Sequence, residues 1–404
     1  MKRTVAVLAM VLVSAIAPVS AAAATAEQQA YSGTHVAFDA GSNAVVDYTV
    51  GGTETVDAVR VQSQSSAESN LGLSGSAGLE AATALGGAAV SVETTADSHA
   101  SMTTDSGATI EAHDNGYGSL VVTADEQSQY VALNLSGDAS AEQASEKRGV
   151  FTAEDGTTST AMVVGEGNVT VTESGNLTAS VAQDSRLVVR NYAESRTEAD
   201  ETEERMIVNG TAAASVHVME QSGEAVTDVV TYSEDTTVEV TERAEGQVTM
   251  TAERSASEGR VVLTHVSEST FESAEDVQVE VDSEAAAQAS SYTEIRQATN
   301  GGDTSKYMVQ SASSASASAE SEVVVGINHF STREVTMTGS SGSDGGSGDG
   351  GSSDGDSNDG DSADGDDSGG DSNDTTTGNG PGFGVVAAVL ALVGAALLAA
   401  RRRP

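Results

Sequence analysis

Val277-Gln278-Val279-Glu280-Val281 sets valine at every second position with a polar side chain between. Successive side chains of an extended chain point to opposite faces, so this run reads as a strand with one buried and one solvated side. Val238-Glu239-Val240-Thr241, Val169-Thr170-Val171-Thr172, Gln247-Val248-Thr249-Met250-Thr251 and Ser215-Val216-His217-Val218 repeat the pattern. Glu166-Gly167-Asn168 and Glu173-Ser174-Gly175-Asn176 supply turns between such runs. Short strands at close spacing predict an all-β fold for the body, residues 27–338. An elongated β-solenoid and a stack of small sandwiches both satisfy the pattern.

The core has to be built from small pieces. Trp is absent, Phe occurs five times, and there is no cysteine to form a disulfide. A thin core of many small contacts is expected, because a buried alanine contributes little beside the roughly 1.5–3 kcal/mol of a buried Val or Leu. The lack of Trp weighs against immunoglobulin-type sandwiches. A basic residue followed by an apolar cluster recurs at Arg148-Gly149-Val150-Phe151, Arg205-Met206-Ile207-Val208, Arg260-Val261-Val262-Leu263 and Lys306-Tyr307-Met308-Val309. The spacing is irregular, and true repeats would stack along an axis. The Ala-rich stretch 285–289 and the Ser/Ala-rich stretch 311–321 fit a loop, a strand or a helix equally.

The formal net charge is −43, and lysine occurs only at Lys2, Lys147 and Lys306. Such a charge opposes compaction by self-repulsion. The screening length falls from about 10 Å at 0.1 M salt to about 3 Å at 1 M, so the composition suits molar salt. No basic patch lies outside the termini, which excludes nucleic acid as a partner.

Lys2 and Arg3 precede an apolar run from Val5 to Val19, and Ala24-Thr25-Ala26 offers small residues to a signal peptidase. Residues 1–26 therefore read as a signal peptide cleaved after Ala26, with Ala24 the alternative. At the other end Pro381-Gly382-Phe383-Gly384 leads into residues 385–400, which contain no charged or polar side chain, and Arg401-Arg402-Arg403 follows. At 1.5 Å per residue this helix is roughly 24–30 Å long, one hydrocarbon core. The three arginines act as stop-transfer and hold that end on the cytoplasmic side. A small-residue motif, an apolar helix and a basic stop, in that order over 381–404, resemble the PGF-CTERM sorting signal of archaeal surface proteins. The resemblance implies that Pro381, Gly382 and Phe383 are recognised by an archaeosortase. That enzyme would remove the helix and join the new C-terminus to a lipid. An unprocessed single-pass transmembrane anchor is the alternative, and both leave the body outside the cell.

Residues 339–380 switch to Gly, Ser, Asp and Asn without a large apolar side chain, the composition of a disordered acidic stalk. A flexible chain of that length spans roughly 35 Å. Within it, Asp354-Gly355-Asp356-Ser357-Asn358-Asp359 fails the calcium-loop register, because Asp359 stands where glycine is needed. Asp97 with His99 and His113 with Asp114 would need to meet across two strands to hold a metal, so no metal site and no cofactor are assigned. Gly-x-Ser-x-Gly and nucleotide-loop patterns are absent, and no catalytic residues are assigned. In an exported chain Asn134, Asn168, Asn176, Asn209 and Asn373 are candidate N-glycosylation acceptors, each heading an Asn-x-Ser/Thr sequon.

The resemblance and the acidic, exported composition together imply a C-terminally anchored surface glycoprotein of a halophilic archaeon, with a structural or interaction role. The implied partners are the membrane, an archaeosortase and surface-layer proteins. An adhesin or solute-binding ectodomain is the alternative, with Tyr48, Tyr117, Tyr130, Tyr192, Tyr232, Tyr292 and Tyr307 as residues to inspect, and a surface hydrolase a third.

Overall fold

The computed structural model describes residues 29–339 apart from 72–84, 194, 222, 245, 268–269, 272–275 and 312–319. The predicted signal peptide with Ala24 and Ala26, the expected stalk beyond Gly339, Asn373, the sorting triplet and Arg401 to Arg403 lie outside the described residues. Among the described residues no helix is long and apolar enough to cross a membrane.

The described strands form four sheets. Sheet A has seven strands, running from Gln29–Ser32 at one edge through Thr53–Ser63 and Gln129–Leu135 to Gly167–Val171 at the other. Sheet B has eight, in the order Ser140–Ser145, Arg148–Thr152, Thr158–Val164, Ser185–Tyr192, Leu120–Ala124, Thr109–His113, His99–Thr104 and Val90–Thr95. Sheet C has six: Glu224–Thr231, Ala212–Gln221, Glu258–Ser267, Glu320–His329, Lys306–Ser311 and Ala287–Gln288. Sheet D has five and is built around Gln247–Arg254, Thr332–Thr338 and Gln278–Val281. Most neighbours are antiparallel, but Ala212–Gln221 runs parallel to Glu258–Ser267. The intervening chain crosses to sheet D before it returns, as a parallel pair requires.

Three buried clusters give the layer order. Sheets A and B share one core, in which Val59, Val131 and Leu177 meet Ile110, Val122 and Leu187. Sheets C and D share a second, in which Val216, Val262 and Val325 meet Val248, Met250 and Val335. The third lies between the two pairs: Val121, Met162 and Val188 of sheet B face Val261, Leu263 and Val324 of sheet C. The central strands of sheets B and C are thus covered on both faces and sheet D on one, while sheet A carries on its outer face only a small fourth cluster, Ala67, Leu85, Tyr130 and Ala132, beneath the helix Gln64–Leu71. The all-β expectation holds, in the form of stacked sandwiches rather than a solenoid.

The sequence pattern follows the layers, except that Ser215-Val216-His217-Val218, which reads as half-solvated, lies in sheet C with Ser215 and His217 buried as fully as its valines. The alternating runs Val238-x-Val240, Val248-x-Met250 and Val279-x-Val281 belong to sheet D, where one face meets solvent. Sheets B and C instead carry unbroken buried runs, Leu120-Val121-Val122 and Val323-Val324-Val325, whose successive members enter different cores. The basic-then-apolar echo marks inner elements rather than a repeat. Three of its members are strands of sheets B and C, whereas Arg205 to Val208 ends a helix. The Ala-rich stretch 285–289 contributes only two two-residue strands.

Three helices are described: α1 (Gln64–Leu71), α2 (Glu198–Val208) and α3 (Tyr292–Thr299). Helix α2 begins at a capping box, in which Thr197 and Asp200 each accept from the other's backbone N–H. Glu198, Asp200 and Glu201 add negative charge to its first turn, where the helix dipole favours it. It buries Met206 and Ile207 in the middle core, joined there by Ile295 of α3.

Helix α3 sits on sheet C because glycines allow backbone to touch backbone. A Cβ on Gly326 would stand 2.9 Å from the Ile295 carbonyl oxygen. One on Gly259 would stand 2.4, 2.5 and 2.6 Å from the carbonyl oxygens of Ile327, Thr299 and Asn328. Gly259→Ala therefore forces main chain apart and is expected to cost about 1–3 kcal/mol. Gly86→Ala, whose Cβ meets nothing within 4 Å, is expected to be neutral. Denaturant midpoints at one fixed molar salt concentration distinguish the two.

Candidate functional site

Strand register builds a polar row across sheet C. Asp228 pairs with His217, His217 with His265, His265 with Glu322, and Glu322 with Gln310. Alternation places all five on the face that carries Val230, Leu263, Val324 and Met308 into the middle core. Sheet B answers with Arg190, His113 and Tyr192, the loop after His113 with Asn115 and Tyr117, and helix α2 with Glu203 and Glu204. Asp228, His217, His265, Glu322, Arg190, Glu203 and Glu204 are each at most 4% exposed.

Charges removed from water need partners, and most of these have one. The Arg190 guanidinium pairs with Glu203 at 3.2 Å and lies 3.9 Å over the Tyr117 ring. Glu203 also accepts from the Tyr292 hydroxyl at 2.9 Å. Glu204 accepts from Thr160 and Tyr192 at 2.8 Å, and is held by Arg196 at 2.5 Å and Arg148 at 3.1 Å. Burial would raise its pKa, but Arg196 leads the contacts that leave it below the usual carboxylate value. Asp228 bonds His113 Nδ1 at 2.8 Å and accepts from Asn115 at 2.8 Å. Desolvation works against both charges of that pair. Their mutual attraction wins, so His113 titrates above 6.5 and Asp228 below 3.8.

The centre of the row is less well served. His217 and His265 stack with ring centroids 4.7 Å apart. Burial is the main cause that holds both well below the ordinary histidine value, His217 further lowered by the neighbouring His265, so both are neutral. His217 Nδ1, both ring nitrogens of His265 and Glu322 Oε1 are buried without a hydrogen-bond partner. Ligand atoms of Glu203, His265 and Glu322 lie within 4.8 Å of one another.

Little of this matches the sequence-level candidates. His99 and His113 do pair across strands, but His113 turns to Asp228. The Asp114 carboxylate instead accepts the backbone N–H groups of Thr34, His35 and Val36 at 2.6, 2.6 and 2.7 Å. Tyr48, Tyr117, Tyr130, Tyr192, Tyr232 and Tyr307 are buried and Tyr292 is half-buried, so they form no exposed aromatic face. Of the sequons, Asn134 and Asn168 are half-buried strand residues of sheet A. Asn176 sits in a turn with Oδ1 accepting from Leu135 N–H and Nδ2 donating to Ser174. Asn209 is exposed at the C-cap of α2.

The His113–Asp228 pair sets a pH dependence. A raised histidine value contributes stability that is complete below 6.5 and lost as pH rises through the folded value. A lowered aspartate value contributes stability that is complete above 3.8 and lost as pH falls through its own. Asp228→Asn is therefore expected to cost about 3–5 kcal/mol near pH 5.5. The deficit against the wild type should shrink as pH is raised past the titration of His113. Thermal melts from pH 5 to about 9 at constant salt measure it; a deficit independent of pH would contradict the assignment.

Comparison with known proteins adds one firm match. No curated protein matches the chain. A family 81 glycoside hydrolase from Clostridium thermocellum, solved as its E515A mutant, is similar at a TM-score of 0.28 and 8% identity. The similarity covers 77% of this chain and 32% of the hydrolase, so the chain spans about a third of that structure; a likeness this distant carries no argument. The PGF-CTERM motif matches residues 380–402. That motif is the C-terminal archaeosortase sorting signal, and it marks the chain as a C-terminally processed, surface-anchored archaeal protein.

Proposed function

We propose that the chain is an exported glycoprotein of the haloarchaeal envelope, associated with the surface layer and structural or interactive in role. The PGF-CTERM match at 380–402 carries the reading. The net charge of −43 supports a molar-salt setting, where screening removes most of the self-repulsion. The filled layers support a structural body: the titratable groups of Arg190, Glu203, His265 and Glu322 lie buried between sheets B and C rather than in an open cleft. The reading includes no catalytic activity. It has residues 339–380 serve as a spacer and the apolar segment 385–400 leave with the sorting signal.

Intact mass and C-terminal peptide mapping, in cells with and without the archaeosortase, test the reading. Loss of the segment after Pro381-Gly382-Phe383 with a lipid-sized adduct, only where the enzyme is present, is the expected result. A C-terminus at Pro404 in both strains would overturn processing. Glycopeptide mapping of the same material is expected to find Asn209 modified ahead of Asn176, whose side-chain amide is engaged at both ends. Asn209→Gln should remove that glycopeptide, and an unmodified Asn209 with a modified Asn176 would contradict the ranking.

A further inference from the structure

Within the polar layer Glu322 is the carboxylate that lacks a cation. Glu203 has Arg190, Glu204 has Arg148 and Arg196, and Asp228 has His113. Among the described residues no basic group pairs with Glu322, which is 4% exposed and stands beside the Glu203 carboxylate. An unpaired carboxylate in such a place costs several kcal/mol, so it takes up either a proton or a cation. A proton shared with Glu203 would settle Glu322 alone. It would leave His265, 1% exposed, with Nδ1 and Nε2 both unpartnered. A neutral imidazole has one donor and one acceptor to satisfy, and buried polar atoms are rarely left so.

We propose that Glu203, His265 and Glu322 form a buried site for a divalent transition-metal ion of the zinc type. One ion would neutralise Glu322, engage an imidazole nitrogen and take a further lone pair of Glu203. One imidazole with two carboxylates is a donor set that suits zinc and its first-row neighbours. At bond lengths of about 2.0–2.2 Å a tetrahedral ion holds its ligand atoms about 3.3–3.6 Å apart. The three side chains place their ligand atoms within 4.8 Å of one another, so side-chain rotation would draw them onto the ion. Register already holds His265 and Glu322 side by side on neighbouring strands, and Arg190 and Tyr292 hold Glu203. The ion would tie helix α2 to the centre of sheet C. Because the layer is sealed, it would enter as the chain folds, and its binding energy would appear as folding stability. The site is independent of the envelope role.

The exported protein, purified in molar salt, is assayed for bound metal. It is then unfolded with chelator and refolded with or without Co²⁺ or Zn²⁺ alone. Glu322→Gln, which keeps the shape and removes the charge, is carried in parallel. One ion per chain in the wild type is expected, with visible Co²⁺ absorption and a melting temperature that rises with Zn²⁺. All three should be absent in Glu322→Gln, although that variant still folds. Two outcomes overturn the site. One is a metal-free wild type whose melting is indifferent to Zn²⁺ and which Glu322→Gln equals or exceeds in stability, as a simple protonated carboxyl requires. The other is a Glu322→Gln that binds Co²⁺ as the wild type does, which would put the ion elsewhere.

Discussion

Burial of two sheets on both faces is the constraint from which the rest of this molecule follows. A sheet with one solvated face can send its polar side chains to water. Sheets B and C have no such exit, so every polar group between them must find a partner inside the protein. The apolar part of the layer is met by Val121, Met162, Val188, Leu263 and Val324. The remainder is met by paired charges, with arginines supplying most of the positive ends. In a chain so poor in basic residues, Arg148, Arg190 and Arg196 all serve this one layer.

That use of arginine has a physical logic. The surface is left to carboxylates, which at molar salt cost little through repulsion and stay hydrated. The planar guanidinium is less strongly hydrated than an ammonium and bonds through several N–H groups at once. It is the basic group that can be buried against Glu203 or Glu204 and also lie on Tyr117. Buried ion pairs are weak sources of net stability but severe penalties when mismatched. The layer therefore fixes which sheet faces which more than it adds energy, and the Val- and Ala-rich cores on either side supply the burial.

Helix α2 connects the two sheet pairs in sequence and in space. Its chain leaves sheet B at Tyr192 and enters sheet C at Ala212, and between them it places Glu203 and Glu204 into the layer while Met206 and Ile207 fill the core. The capping box at Thr197 fixes where the helix starts, and so which of its side chains point inward. The exposed C-cap, Asn209, carries a sequon at the opposite end from the capping box.

Features that are local in the chain were legible without coordinates. Period-two valines announced the strands of sheet D because alternation is a property of one strand alone, and the C-terminus declared itself because a sorting signal is read as a contiguous string. The inner strands were visible only as apolar runs such as Val323-Val324-Val325. Those runs say that both faces are covered but not by what. The row Asp228, His217, His265, Glu322 and Gln310 could not be read at all, since its members are scattered over more than a hundred residues, from His217 to Glu322. Registers set by long-range pairing, one of them parallel, bring them together. Sequence by itself determined a β-rich, acidic body bearing a surface-sorting signal. The tertiary structure alone decided that its histidines and glutamates meet, because burial and partnership belong to the packed layers and not to any segment of the chain.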